Sequence, residues 1–293
     1  MDKQLRGCLV LLITAMVWGL AFIAQSVAAG LIGPLTFNGC RFLLAAAEVA
    51  VFCPLLERWI GVTQKDSWNE AALPGILAGT VLLLASYLQQ AGIRYTTAGK
   101  AGFITSFYVV LVPAAGFLFL RRKSGWTVWV AAGIACAGLY LLSSPEQGAI
   151  QSGDVLELLG AVCFTAHILV VDRAASDLNP IRFSVMQFLT AGVLGLVLGA
   201  LFEPVSLEAL NQATPAILYA GICSAGLGYT LQAIGQRDAD PAAASVIMSL
   251  ESVFSAVFGF LLLGEKMSGL ELLGCGLLFA AVLLSQLDNQ KGE

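Results

Sequence analysis

The residues able to do chemistry in this chain are few, and they sit inside long apolar runs. Arg41 and Glu48 fall seven positions apart in one such run, Glu251 lies about eleven residues into another, and His167 is the single histidine of the chain. A charged side chain near the middle of a bilayer-spanning helix costs about 2.5–3.5 kcal/mol, so these groups should face protein or a watery cavity. Arg41 and Glu48 share a helix face, but the rise between them, about 10.5 Å, is too long for a direct bond. Arg41 has the planar fork that grips a carboxylate, or else it is a structural arginine bonded to backbone carbonyls. Glu251, near the middle of its run, suits a group that takes up and releases a proton, and Glu48 and His167 are further candidates for that role. Each has a bland alternative, a side chain bonded to a neighbouring helix.

Around these lie neutral groups that could line a solute cavity: Gln25, Asn38, Gln89, Gln90, Gln187 and Gln232, with Trp18, Tyr87, Tyr108 and Tyr229 as aromatic walls. Lys100 could form a basic entrance with Arg41, or be an interfacial lysine. Such a mixture offers mainly apolar contact with a few oriented polar groups, which fits a small amphipathic solute and also fits plain helix packing. No HExxH, GxSxG, aspartate-rich metal motif or phosphate loop occurs, so hydrolytic, metal or ATP-driven chemistry has no visible machinery. The seven cysteines are scattered without CxxC spacing and read as small apolar packers. No cofactor, metal or nucleic-acid partner is expected.

The elements that must position these residues follow from composition. Of 293 residues, 58% are hydrophobic and 12% charged, too apolar a balance for a soluble domain. Runs of about 20 apolar residues recur along the chain. They predict an all-α integral membrane protein with ten spans near 5–28, 35–56, 73–92, 101–120, 126–142, 155–171, 183–202, 216–235, 243–263 and 269–287. Prolines at Gly33-Pro34, Ser144-Pro145, Asn179-Pro180, Glu203-Pro204 and Asp240-Pro241 mark the joints. The first run, preceded by Lys3 and Arg6, resembles a signal peptide but is longer than a signal core.

Lysine and arginine counts set the orientation. With the N-terminus inside, eleven fall on the cytoplasmic side (Lys3, Arg6, Arg58, Lys65, Arg121, Arg122, Lys123, Arg173, Arg182, Arg237, Lys291) and three outside (Arg94, Lys100, Lys266). Both termini are therefore expected in the cytoplasm, with the protein in the cell membrane.

The chain also repeats itself. A shift of 146 brings Pro34 onto Pro180, Phe37 onto Phe183, Phe42 onto Phe188 and Trp18 onto Phe164; a shift of 142 brings Tyr87 onto Tyr229, Gln90 onto Gln232 and Ala101 onto Ala243. Five spans per half is an odd number, so the second copy, 152–290, must enter the membrane upside down relative to the first, 1–145. Two inverted five-helix repeats let a central site open to either side in turn, as in many secondary transporters. Gly75/Gly79 and Gly195/Gly199 form GxxxG spacings, expected to pack similarly in each half, and Pro113 is expected to bend the fourth span.

Four stretches carry a family resemblance: Met16 to Phe22, Arg41-Phe42, Arg94 to Phe103, and Leu250-Glu251-Ser252-Val253 running to Leu263-Gly264-Glu265. Together, in a duplicated ten-span frame, they resemble the EamA-type transporters of the drug/metabolite transporter superfamily. The resemblance implies a central cavity lined chiefly by the first four helices of each half, alternating access, and fifth helices used for packing or dimer contacts. Departures from the pattern are Phe164-Thr165 opposite Trp18-Gly19, Ser252 where relatives often have proline, and Arg121-Arg122-Lys123 at the end of the fourth span. The expected function is secondary transport of a small polar or amphipathic metabolite, such as an amino acid, driven by protons or by exchange, with lipid, solute and protons as partners. A channel or an intramembrane enzyme is the alternative, and monomer and homodimer remain open.

Overall fold

The computed structural model describes residues 3–61, 67–96, 98–121, 125–142, 151–263 and 268–285, and among them it is entirely helical. The first half holds α1 (Lys3–Ala29), α2 (Pro34–Trp59), α3 (Trp68–Gly92), α4 (Ala98–Thr105) with α5 (Tyr108–Leu120), and α6 (Trp126–Leu142). The second holds α7 (Ser152–Asp177), α8 (Pro180–Phe202), then α9 (Leu207–Leu218), a π-helical stretch Tyr219–Tyr229 and α10 (Thr230–Gln236) as one continuous span. It ends with α11 (Pro241–Met248), α12 (Glu251–Leu263) and α13 (Gly269–Ser285). Eight of these spans are long and apolar enough to cross a membrane, and the shorter apolar α6 and α13 complete ten. Large apolar side chains such as Val51, Leu55, Phe119, Leu201 and Leu283 point outward, as a lipid-facing surface requires.

Local chemistry explains where helices start. Pro34, Pro180 and Pro241 occupy first-turn positions where a missing N–H costs nothing. Ser67 and Glu70 form a capping box that begins α3 five residues before the apolar run, and Ser206 caps α9. The eighth span consequently starts at Leu207, nine residues earlier than its hydrophobicity indicates, because α9 is polar on one side.

The two halves interleave. The most extensive helix pair is α2 with α8, followed by α6 with α13, while α3 packs on α7 and α8. In the second half α1 is held by α12, α10 and the π-helical stretch. Close approach of α2 and α8 depends on missing side chains: a Cβ on Gly39 would strike Leu196, and one on Gly195 would lie 2.9 Å from Gly39 Cα. The two GxxxG pairs do not pack equivalently, contrary to expectation. Gly75 and Gly79 seat α3 on Met186, Gln187 and Thr190 of α8, whereas Gly195 and Gly199 seat α8 on α2. The seventh span is the counterpart of the second, not of the third, so the motif serves two different faces of α8.

Pseudo-symmetry also shows at the helix ends. Glu203, at the end of α8, accepts from Leu35 N (2.8 Å), Thr36 N (2.8 Å) and Thr36 Oγ1 (2.7 Å) at the start of α2. Glu57, its counterpart 146 residues earlier, accepts from Asn179 Nδ2 (2.7 Å) and Arg182 Nε (2.8 Å) at the start of α8. Each carboxylate sits where the partner helix exposes unpaired N–H groups and a positive dipole end.

Two irregularities matter for the site. The fourth span is interrupted at Ser106-Phe107 and the ninth at Ser249-Leu250, both by short i→i−3 turns such as Val109 N to Ser106 O (3.0 Å) and Ser252 N to Ser249 O (3.2 Å). Pro113 lies inside α5, and the ninth span breaks at the equivalent point with no proline nearby, so the expected proline bend is not the cause. The second irregularity is the π-helical stretch. Gly79 faces the backbone oxygen of Gln187, and Gly221, 142 residues on, faces that of Arg41, the Gln187 counterpart. Beyond the stretch the spacing is 143: Gly92 meets Gly153 as Gly235 meets Gly7. One inserted residue, absorbed as π-helix, accounts for the change. The alignment of Tyr87 with Tyr229 and Gln90 with Gln232 is therefore one residue out of register in space, as is that of Ala101 with Ala243.

Gly39→Ala and Gly79→Ala are expected to destabilise by about 1–3 kcal/mol through overpacking, read as lower thermal midpoints in detergent. Gly133→Ala, with nothing within reach of the new methyl, should be neutral or gain up to about 1 kcal/mol from helix propensity.

Candidate functional site

A carboxyl group buried among apolar helices must find hydrogen-bond donors, and Glu251 finds them on the other half of the molecule. It is the first residue of α12, just past the break, and is 4% exposed. Tyr108 Oη donates to Glu251 Oε1 at 3.0 Å and Ser106 Oγ donates at 3.3 Å. Ser106 Oγ also meets Ser252 Oγ at 2.9 Å, and Ser252 Oγ donates to Gly102 O at 3.2 Å. Tyr108 and Glu251 hold corresponding positions after the two breaks, 143 residues apart, so the two interrupted helices cross and bond at equivalent points.

Above this crossing lies a cavity lined by Trp18, Phe22 and Gln25 of α1, Arg41 of α2, Gln89 of α3, Thr105 and Tyr108, with Phe164 and His167 of α7, Ser224, Tyr229, Gln232 and Glu251 completing the wall. Its enclosed space is about 30 Å³, room for about one or two water molecules and less than a solute needs, so the cavity is closed down in this conformation. Tyr229 is its aromatic hub: its ring lies 4.7 Å from that of Trp18, 5.7 Å from His167, 6.2 Å from Phe42 and 6.3 Å from Phe188. Trp18 Nε1 donates to Ser224 O at 3.1 Å, in the π-helical stretch, and Gly228 leaves room for the indole.

Arg41 is 1% exposed, its guanidinium 5.3 Å from the Phe37 ring and 4.7 Å from the Phe42 ring. Its Nε and Nη2 have no hydrogen-bond partner, and none of the ion pairs among the described residues includes it. A buried cation held by π-faces has donors left free. His167, fully buried, shares a hydrogen with Gln187 Oε1 at 2.9 Å, which holds its ring edge-on to Tyr229.

Of the residues singled out from sequence, Trp18, Gln25, Arg41, Gln89, His167, Tyr108, Tyr229, Gln232 and Glu251 share this cavity. Five lie off it. Asn38 donates to Pro34 O and Ser86 O, Gln90 donates to Gln25 O, Gln187 backs His167, Tyr87 is half-buried elsewhere on α3, and Glu48 packs against Gly226. The side chain of Lys100 and residues 122–124 and 264–267 lie outside the described residues. The lining comes from the first four spans and from the sixth, eighth and ninth, with the seventh held behind His167. Gln89 is the spatial counterpart of Gln232, and Thr105 is a lining position that hydrophobicity alone passes over. Glu157, fully buried on α7, is passed over as well, because it lies so near the predicted start of its span that it reads as interfacial.

The fold and this central cavity define a polytopic membrane protein of two inverted five-helix repeats, a transporter architecture. The chain belongs to the EamA-like transporter family, within the drug/metabolite transporter superfamily: the family model matches residues 5–144 and 151–287. An uncharacterized transporter of Archaeoglobus fulgidus is 29% identical over 285 residues, 97% of this chain and 87% of that protein. The threonine/homoserine exporter RhtA of Escherichia coli K12 is 28% identical over 188 residues, 61% of this chain and 60% of RhtA. A protein of known crystal structure superposes with a TM-score of 0.79 at 17% identity, over 98% of this chain and 99% of that one, a likeness of fold.

If Arg41 keeps its charge for a solute, it adds little to stability. Arg41→Met is expected to leave the thermal midpoint of the purified protein unchanged or raised, since desolvating an unpaired cation opposes folding and only about 0.5–2 kcal/mol of ring contact is lost. A clear fall in the midpoint would mark Arg41 as structural.

Proposed function

We propose that this protein is a secondary transporter that exports small amino acids of the threonine and homoserine type in exchange for protons, and is not an enzyme. The observation that carries this reading is the pairing, in one cavity, of an unpartnered guanidinium with a buried carboxyl, Tyr229 being near both. A zwitterion matches that pair in chemistry, once the cavity widens to admit it: its carboxylate takes the fork of Arg41 and its ammonium takes Glu251. The aromatic and amide walls suit a short side chain bearing a hydroxyl. The printed substrate of RhtA supports the same class.

Coupling follows from competition. Glu251 holds either a proton or the substrate ammonium, so release of one accompanies binding of the other, and a proton gradient drives the amino acid the opposite way. Glu251 is preferred to Glu48, which lies off the cavity, and to His167, whose bond to Gln187 serves the packing of Tyr229. The lysine and arginine bias supports both termini in the cytoplasm, with the protein in the cell membrane. The halves 1–145 and 152–290 are the units that rock about the α2–α8 contact.

The test is transport of a panel of amino acids and related metabolites into proteoliposomes with and without an imposed pH gradient. Saturable, gradient-driven L-threonine flux is expected in wild type, lost coupling in Glu251→Gln, and at least about thirtyfold weaker apparent affinity in Arg41→Met, corresponding to the 2 kcal/mol or more of a truncated buried charge pair. Flux that ignores the gradient and the variants would remove this mechanism. In addition, saturating L-threonine should alter the fluorescence of wild type but not of Trp18→Phe, because the other four tryptophans, Trp59, Trp68, Trp126 and Trp129, are exposed at the periphery.

A further inference from the structure

A second carboxyl is closed off from solvent. Glu157 of α7 is fully buried. Its Oε2 accepts from Thr105 Oγ1 at 2.8 Å, Thr105 Oγ1 accepts from Gln89 Nε2 at 3.2 Å, and its Oε1 has no partner. No ion pair among the described residues reaches it. The groups facing it from α3 and α4 are the neutral Gln89, Gly92 and Thr105, and on its own helix Asp154 is the charged neighbour.

The pseudo-symmetry supplies a control. Gly153 meets Gly92 as Gly7 meets Gly235, and at the position of Glu157 the first half carries Leu11, fully buried against Gly235. At the position of Thr105 the second half carries Met248, also fully buried. The same helix crossing is thus built once from leucine and methionine and once from glutamate and threonine. Packing is satisfied by the apolar version, so the polar one answers to something else.

Its neighbours indicate what. Thr105 and Ser106 are consecutive residues at the break of the fourth span; Thr105 bonds Glu157 and Ser106 bonds Glu251. Thr105 and Gln89 also line the central cavity. On the other side, one turn from Glu157, Asp154 accepts from Thr96 Oγ1 at 2.8 Å at the membrane face opposite the N-terminus. A line of exchangeable groups therefore runs from that face to the cavity: Asp154, Glu157, Thr105, then Ser106 and Glu251.

We propose that Glu157 is a second proton-binding site, which passes protons between the face opposite the N-terminus and the Glu251 carboxyl across the break in the fourth span. This rests on the proton-exchange reading above. When Glu157 is protonated at Oε2 the bond to Thr105 reverses, the carboxyl donating to Oγ1 while the hydroxyl turns its own hydrogen toward the cavity; passing that hydrogen on toward Glu251 as the carboxyl proton moves to Oγ1 leaves Glu157 a carboxylate. Glu157, left as carboxylate, regains a proton from the Asp154 side. The acid with no counterpart in the other half makes the route one-sided, leading to a single face of the membrane.

The experiment uses the full chain and two variants, Glu157→Gln, which keeps the hydrogen-bonding shape, and Glu157→Leu, which copies Leu11. In proteoliposomes, both are expected to lose pH-gradient-driven L-threonine accumulation while keeping threonine–threonine exchange, which needs no net proton transfer. Infrared difference spectra recorded on acidification should show a protonated-carboxyl band that vanishes in Glu157→Gln and persists in Glu251→Gln. Gradient-driven accumulation equal to wild type in both variants, equal loss of exchange and accumulation in a folded variant, or a spectrum without a pH-dependent Glu157 band would each overturn the relay. The infrared measurement involves no substrate: absence of threonine flux in wild type counts against the amino-acid reading alone, and the carboxyl band still decides the case of Glu157.

Discussion

The crossing of the two interrupted helices is the constraint on which the rest of the molecule depends. A carboxyl at the centre of an apolar bundle is tolerated only with donors supplied by protein, and Tyr108 and Ser106 supply them from the opposite half. To bring those donors there, both spans must break their helical hydrogen bonding at the same level, and the freed backbone groups are taken up by short i→i−3 turns. The halves are thereby tied at their most polar point, where a change of protonation or ligation is felt by both.

Around this point the structure separates what is rigid from what is free to exchange. The α2–α8 contact, closed by glycines and pinned by hydrogen-bonded Glu57 and Glu203 at its two ends, is nearly symmetric. The cavity is not. Arg41 faces it where the counterpart is Gln187 bonded to His167, and Trp18 reaches a π-helical carbonyl where the other half has a regular α3. Inverted repeats make alternation between two faces geometrically natural. Asymmetric side chains then give the alternation a chemistry, because unlike groups at equivalent positions bind different things.

The π-helical stretch shows how a small sequence event is accommodated at a site. One extra residue between Gly221 and Gly235, wound into π-helix, is absorbed there, so the remainder of the span presents the same face as its counterpart and Gln232 lines the cavity as Gln89 does. Within the stretch, Gly226 and Gly228 lie where Glu48 and Trp18 need room.

The sequence by itself determined the ten apolar spans, the duplication and the family, because bilayer thickness, proline joints and conserved spacing within one chain are one-dimensional signals. It also brought out Arg41, Glu251, Trp18, Tyr108 and Tyr229, since charge and aromatic groups inside an apolar run are conspicuous. Only the tertiary structure decided which polar residues share a space: Gln89 instead of Gln90, Tyr229 without Tyr87, Glu48 outside. A one-residue insertion is invisible to apolar periodicity, yet it puts the two halves one residue out of register. The burial of Glu157 was likewise hidden, because burial depends on which helices cover a residue, and covering is a property of packing between segments far apart in the chain.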